Sequence, residues 1–220
     1  MKTIISFWKN NRLFFFFVML MCVFRSAVAD WYTVPTGSMQ PTIEVGDRIT
    51  VNKMAYDIRL PFSDISLLQL DEPVRGDIVV FESEQASNRL IKRVIGLPGD
   101  QVSMRNNNLY VNGRSLNYQL EKRTEREVLL TEQLGENTHQ IRLDTQVNTP
   151  LKNFSTVTVP EDYFLVLGDN RNNSADSRVI GFVPRHELRG KAGYVAFSLD
   201  YDDHYLPRKK RFLTNLYEQP

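Results

Sequence analysis

RLIKRVIGLPGD, residues 89–100, sets two adjacent cations, Lys92 and Arg93, inside an apolar run and closes that run on a Pro-Gly-Asp turn. A short β-branched stretch that ends at a turn signal reads as a strand rather than a helix. Side chains alternate along a strand, so Lys92 shares a face with Leu90 and Val94, and Arg93 shares one with Ile91 and Ile95. If either face is buried, a cation is buried with it. The plain explanation is an edge-strand lysine that discourages aggregation. The chemical one is desolvation. A lysine at its ordinary pKa of ~10.4 is neutral about one time in a thousand at pH 7.4, a handicap of about 4 kcal/mol that burial reduces.

Outward from this run the pattern repeats. RITVNKMAY (residues 48–56), DIVVFES (77–83), YFLVLGD (163–169) and GYVAFSLD (193–200) are short, β-branched or aromatic segments, separated by Val45-Gly46-Asp47, Arg75-Gly76-Asp77 and Asn112-Gly113 turns. Residues 101–113 read as a hairpin with Asn106–Asn108 at its tip. The expected fold is mainly β, built of antiparallel sheets around one core, with residues 114–156 as an inserted lobe or flap. A formal net charge of +1 over 220 residues gives no field that points to nucleic acid or to acidic partners.

The N-terminus departs from this pattern. Lys2, Lys9 and Arg12 precede LFFFFVMLMCVF (residues 13–24), and RSAVADWY follows. The basic start, the apolar run and Ala27-Val28-Ala29 match a cleavable secretory signal. Residues 13–32 also match a membrane anchor with Arg25 snorkelling and Trp31 and Tyr32 at the interface. The basic residues put the N-terminus on the cytoplasmic side in the anchor reading, and both readings export the rest.

Two further stretches carry candidate chemistry. VPTGSMQPT (residues 34–42) places Ser38 on a proline-bracketed loop, and a serine nucleophile needs a base. His139, His186 and His204 each read as solvated surface residues, and no two lie at metal-ligand spacing, so no metal site is expected. Lys92 is the alternative base. LGDNRNNSADSRVIGFVP (residues 167–184) gathers Asp169, Arg171, Ser174, Asp176 and Arg178 after a strand, either as a solvated loop or as the hydroxyl and ion pairs that hold a serine–lysine pair.

PTGSMQPT, GDRITVNKMAY, RGDIVVF, RLIKRVIGLPGD and GDNRNNSADSRVIGFVP, in this order behind an apolar segment, resemble the bacterial type I signal peptidases, or leader peptidases. The resemblance implies a membrane-bound endopeptidase that removes signal peptides from exported precursors after small-x-small sites such as Ala-x-Ala. It implies Ser38 as nucleophile, Lys92 as general base and Ser174 as the hydroxyl that orients the Lys92 amine. It also implies an oxyanion site formed by the Ser38 N–H and the Thr36 hydroxyl, where many relatives have serine.

Arg93 with Asp169, and Asp176 with Arg178, would be supporting ion pairs, and Gly168 would keep bulk out of the site. Tyr32, Val34, Pro35, Met39, Ile43, Leu90 and Ile91 would line the substrate pocket. No cofactor is implied. The chain would sit in the bacterial cytoplasmic membrane with residues 1–12 cytoplasmic, 13–32 an uncleaved single-pass anchor, and 33–220 a catalytic β domain outside. LPRKKRFL (residues 206–213) would touch anionic lipid. The rival readings are a self-cleaving repressor of the DNA-damage response, which shares a serine–lysine dyad but carries a DNA-binding domain where this chain has an apolar segment, a maturase dedicated to one pilin, and a non-catalytic binding module on the same fold.

Overall fold

The computed structural model describes residues 10–218. One helix, α1 (Arg12–Ala27), is followed by strands β1 (Ala29–Thr33), β2 (Asp47–Asn52), β3 (Asp57–Arg59), β4 (Ser66–Gln69), β5 (Ile78–Ser83), β6 (Asn88–Gly96), β7 (Gln101–Arg105), β8 (Asn108–Val111) and β9 (Arg114–Ser115). Next come β10 (Asn117–Arg123), β11 (Glu127–Leu134), β12 (Asn137–Asp144), β13 (Phe154–Thr158) and β14 (Tyr163–Leu167). A one-turn helix, α2 (Ser177–Ile180), leads to β15 (Val183–Pro184), the long β16 (Leu188–Asp200), β17 (Leu206–Pro207) and β18 (Thr214–Asn215).

The main sheet runs β1-β2-β16-β5-β6-β14-β15, with β17 and β18 also paired to β16. Two smaller sheets, β10-β11-β12 and β13-β7-β8-β9, flank it, and β3 and β4 form a separate hairpin. The 101–113 hairpin forms as the turn residues dictate. Asn106 and Asn107 take positive φ of 49° and 64° at its tip, while Asn108 already pairs with Arg105 as the first residue of β8.

The expected single core is instead three clusters. Ile78 and Val80 of β5 face one, Val79 and Phe81 face a second, and Ile95 of β6 joins a third with Met104 and Leu109. The central strands are thus covered on both faces, which is why β5 reads as a continuous apolar run rather than an alternating one. Lys92 and Arg93 are both 2% exposed. The edge-strand explanation for Lys92 therefore fails.

Of the anchor expected at residues 13–32, the structure places only the first part in a helix. α1 ends at Ala27 after 16 residues, about 24 Å of helix, and no described helix is long and apolar enough to cross a membrane. The remainder is strand, because Ala29–Thr33 pairs antiparallel with β2 from Ala29↔Asn52 to Thr33↔Arg48. Arg25 turns back to Asp30 at 2.7 Å and stacks on Trp31 at 4.5 Å, which fixes the helix-to-strand corner. Tyr32 is a sheet residue with Arg89 stacked on its ring at 4.4 Å. Residues 1–9 of the expected cytoplasmic segment lie outside the described residues.

Residues 117–144 form the β10-β11-β12 sheet, which docks through backbone and charge. Arg142 N–H donates to the Asp169 carbonyl at 2.9 Å, and Arg171 N–H donates to the Arg142 carbonyl at 2.9 Å. Beneath them the Arg171 guanidinium donates to both Glu132 oxygens, at 2.8 and 2.5 Å, with both side chains fully buried. Removing one partner of a buried pair strands the other charge. Glu132→Ala is expected to cost about 3–5 kcal/mol in chemical denaturation.

Candidate active site

The loop at residues 34–43 is held from within and from below. Val34, Met39 and Ile43 are buried in the first cluster, and Ile43 N–H bonds the Met39 carbonyl at 2.9 Å. Glu44 N–H donates to Asp47 at 2.8 Å, tying the end of the loop to the start of β2. With its flanks sunk in the core, the loop presents the half-buried Ser38. From the far side Asn170 clamps it: its N–H donates to the Ser38 carbonyl at 3.1 Å and its side-chain amide to the Gly37 carbonyl at 2.9 Å.

Lys92 Nζ lies 2.7 Å from Ser38 Oγ and 2.9 Å from the Ile91 carbonyl. As an ammonium it donates to both; as a neutral amine it can accept the serine hydroxyl proton. Burial favours the neutral form and pulls the Lys92 pKa down to about 8, against the opposing pull of Asp176 and Asp169 and with a lesser push from Arg178. At that value about a fifth of the amine is neutral at pH 7.4.

The acids that oppose this shift are engaged elsewhere. Arg93 forks onto Asp169, Nε to Oδ1 at 2.9 Å and Nη2 to Oδ2 at 2.7 Å, and Thr42 Oγ1 donates to the same carboxylate at 2.6 Å. These contacts hold the Asp169 pKa below the usual carboxylate range despite burial, which acts in the other direction. Arg178 forks onto Asp176 at 2.7 and 2.6 Å. Asp176 also caps α2 by accepting from Arg178 N–H and takes the Gly168 N–H at 3.0 Å, the usual work of an aspartate at a helix start.

Other expectations meet the structure unevenly. Ser174 is buried, but its Oγ has no hydrogen-bond partner among the described residues, so the expected bond to the Lys92 amine is not made. The amine is turned instead to Ser38 and Ile91. Ser174 Oγ and the Ser38 carbonyl together bound the space that a Cβ on Gly168 would occupy. Thr36 is exposed, and neither its hydroxyl nor the Ser38 N–H is bonded to another described group.

Of the expected pocket residues, Tyr32 and Ile91 pack on the cluster that holds Val34, Met39 and Ile43, while Pro35 is exposed. Leu90, on the Lys92 face of β6, is partly buried and packs on the second cluster with Tyr56 and Phe81, whereas Ile91 packs on the first.

His139 is corrected. It is 4% exposed, with Nε2 3.2 Å from Glu132, and burial together with nearby Arg93 pushes its pKa down. His186 and His204 are exposed. Within LPRKKRFL, Arg208 and Arg211 bind Asp200 and Asp47, which leaves Lys209, Lys210, Phe212 and Leu213 facing out.

Sequence reading missed Asn170, Thr42, Glu132 and Arg142. Asn170 and Thr42 lay inside the stretches that carry the chemistry, and an Asn directly beside a buried Asp was the available signal. Glu132 and Arg142 gave none, since alternating charge on a strand ordinarily marks a solvated face.

Residues 7–197 match the family described as signal peptidase, peptidase S26. Signal peptidase I of Pseudomonas aeruginosa is 39% identical over 206 residues, covering 86% of this chain and 72% of that one. A probable signal peptidase I-2 of Synechocystis is 36% identical over 188 residues, covering 82% and 68%. A crystal structure of a signal peptidase I from Enterococcus faecalis is 31% identical, with a TM-score of 0.37 over 56% of this chain and 98% of that one. On the sequence matches, this chain is a serine endopeptidase. It belongs to the signal peptidase family, peptidase S26.

Two outcomes follow from the packing. Gly168→Ala should lower the thermal midpoint by the equivalent of about 1–3 kcal/mol of overpacking and, by displacing the Ser38 backbone, depress peptidase activity further than the lost fold explains. Lys92→Met removes a buried ammonium. The folded-state pKa lies below the unfolded one, so the unfolded chain binds more protons between about 8 and 10.5 and the native state is penalised below that window. Urea denaturation at pH 7 should show the variant more stable by up to about 3 kcal/mol, with the gain shrinking as pH rises through that window.

Proposed function

We propose that the chain removes signal peptides from exported precursors by acyl transfer through Ser38, with Lys92 as the general base. The observation that carries this reading is a buried amine 2.7 Å from a serine hydroxyl, its pKa pulled down to about 8. Neutral Lys92 takes the Ser38 proton as Oγ attacks the scissile carbonyl. The carbonyl oxygen gains charge and is met by the Ser38 N–H and, after rotation about its side-chain bond, by the Thr36 hydroxyl. Protonated Lys92 then gives its proton to the departing amine, and the neutral Lys92 so formed deprotonates a water that attacks the acyl carbon, returning that proton to Ser38 Oγ as the acyl group leaves.

Ser174 and Gly168 shape the space beside the nucleophile. The Arg93–Asp169 and Arg178–Asp176 forks keep the two carboxylates occupied, so that neither forms a direct ion pair with Lys92. Tyr32, Val34, Met39, Ile43 and Ile91 form apolar ground beside Ser38 that suits small side chains at the first and third positions before the cut, as in Ala-x-Ala. Residues 33–220 act as the catalytic region.

Membrane association is supported by α1, which buries no residue and exposes Leu13, Phe14, Phe16 and Phe17, and by the outward-facing Lys209, Lys210, Phe212 and Leu213. Held there, the site faces the outer side of the cytoplasmic membrane.

With a purified Ala-x-Ala precursor, Ser38→Ala and Lys92→Ala should each abolish cleavage, a loss of at least about a thousandfold. Thr36→Val should cost on the order of a hundredfold in kcat. The wild-type kcat/KM should rise with pH through about 8 as the amine loses its proton. Cleavage that survives Lys92→Ala with the same pH profile would remove the serine–lysine assignment.

A further inference from the structure

Away from the candidate active site, Glu84, His186 and Glu187 bring three ligand atoms to within 4.8 Å of one another. Glu84 stands on the turn between β5 and β6, and His186 and Glu187 lie on the 3-10 turn Arg185–Glu187 that leads into β16. Glu187 is 6% exposed. One of its oxygens accepts the Glu84 backbone N–H at 3.2 Å, and among the described residues no lysine or arginine pairs with its carboxylate. The arginines that line the same 550 Å³ cavity are committed: Arg89 to Glu82 at 2.5 Å, and Arg189 to Asp64 at 3.2 Å and Glu82 at 3.1 Å. The Glu187 carboxylate therefore borders the cavity with no committed cation beside it, and a metal ion entering there meets no competing lysine or arginine among the described residues.

The geometry points to a divalent transition-metal site, with zinc the best-matched ion, ligated by Glu84, His186 and Glu187. One imidazole with two carboxylates is a nitrogen-and-oxygen set of the kind that zinc accepts, whereas calcium and magnesium take all-oxygen shells. Bonds of about 2.0–2.2 Å put tetrahedral ligands closer together than the present limit, and the exposed Glu84 and His186 side chains are free to close that gap. The cavity leaves the fourth position to solvent. Bound there, the ion ties the turn that starts β6, the strand of Lys92, to the start of β16. The sequence expectation of no metal site rested on histidine spacing, and here 103 positions separate Glu84 from Glu187.

The test is calorimetric titration of the full chain in detergent with zinc chloride, alongside His186→Ala and Glu187→Gln, with thermal midpoints recorded with and without metal. Expected are one zinc per chain, a raised midpoint for the wild type alone, affinity at least about tenfold weaker in each variant, and no displacement by excess magnesium or calcium. His186 is exposed, so its variant keeps the metal-free midpoint and carries the test even if Glu187→Gln does not fold. Absence of binding to the wild type, or unchanged affinity in His186→Ala, overturns the assignment.

Discussion

Two cations side by side on a doubly covered strand are the constraint around which this protein is organised. Burying Lys92 and Arg93 is unfavourable in itself, and the fold answers each differently. Arg93, always charged, receives Asp169 in a fork reinforced by Thr42. Lys92 receives no carboxylate partner, only a hydroxyl and a carbonyl, so its charge is the quantity that gives way. Had Asp169 or Asp176 been free to pair with it, the amine would have kept a pKa nearer its ordinary value. The arginine forks therefore support the loop and also keep two carboxylates from the lysine.

The same loop joins the parts of the molecule. Asn170 grips the Gly37 and Ser38 carbonyls on one side, while Arg171 reaches Glu132 and Asp169 takes the Arg142 backbone N–H on the other. The β10-β11-β12 sheet thus bears on the serine through a continuous chain of hydrogen bonds. Charge that would ordinarily face water on a strand is turned inward here because the loop brings a buried guanidinium to meet it.

Much of this was legible from local pattern. Strands β2, β5, β6, β14 and β16 announced themselves by β-branched runs between glycine turns, and the forks of Asp169 and Asp176 lay within RLIKRVIGLPGD and LGDNRNNSADSRVIGFVP. Misreadings arose where local pattern competes with long-range pairing. Residues 29–32 looked like the end of an apolar span, yet they form a strand paired with β2. Leu90 and Ile91, adjacent in sequence, pack on different clusters because neighbouring strand residues part to opposite faces. His139 sat in a charged stretch that reads as solvated, yet the stretch is folded onto a buried ion pair.

By itself the amino-acid order determined that a serine loop, a cation-bearing strand and an acid-and-arginine loop exist in a mainly β chain, because each is a local matter of turn residues and side-chain period. Only the tertiary structure decided that the amine is buried, that it meets the serine and not a carboxylate, and that Ser174 makes no hydrogen bond to it. Those outcomes depend on which distant groups fill the space around one nitrogen, and solvent exclusion is a property of the assembled fold rather than of any segment.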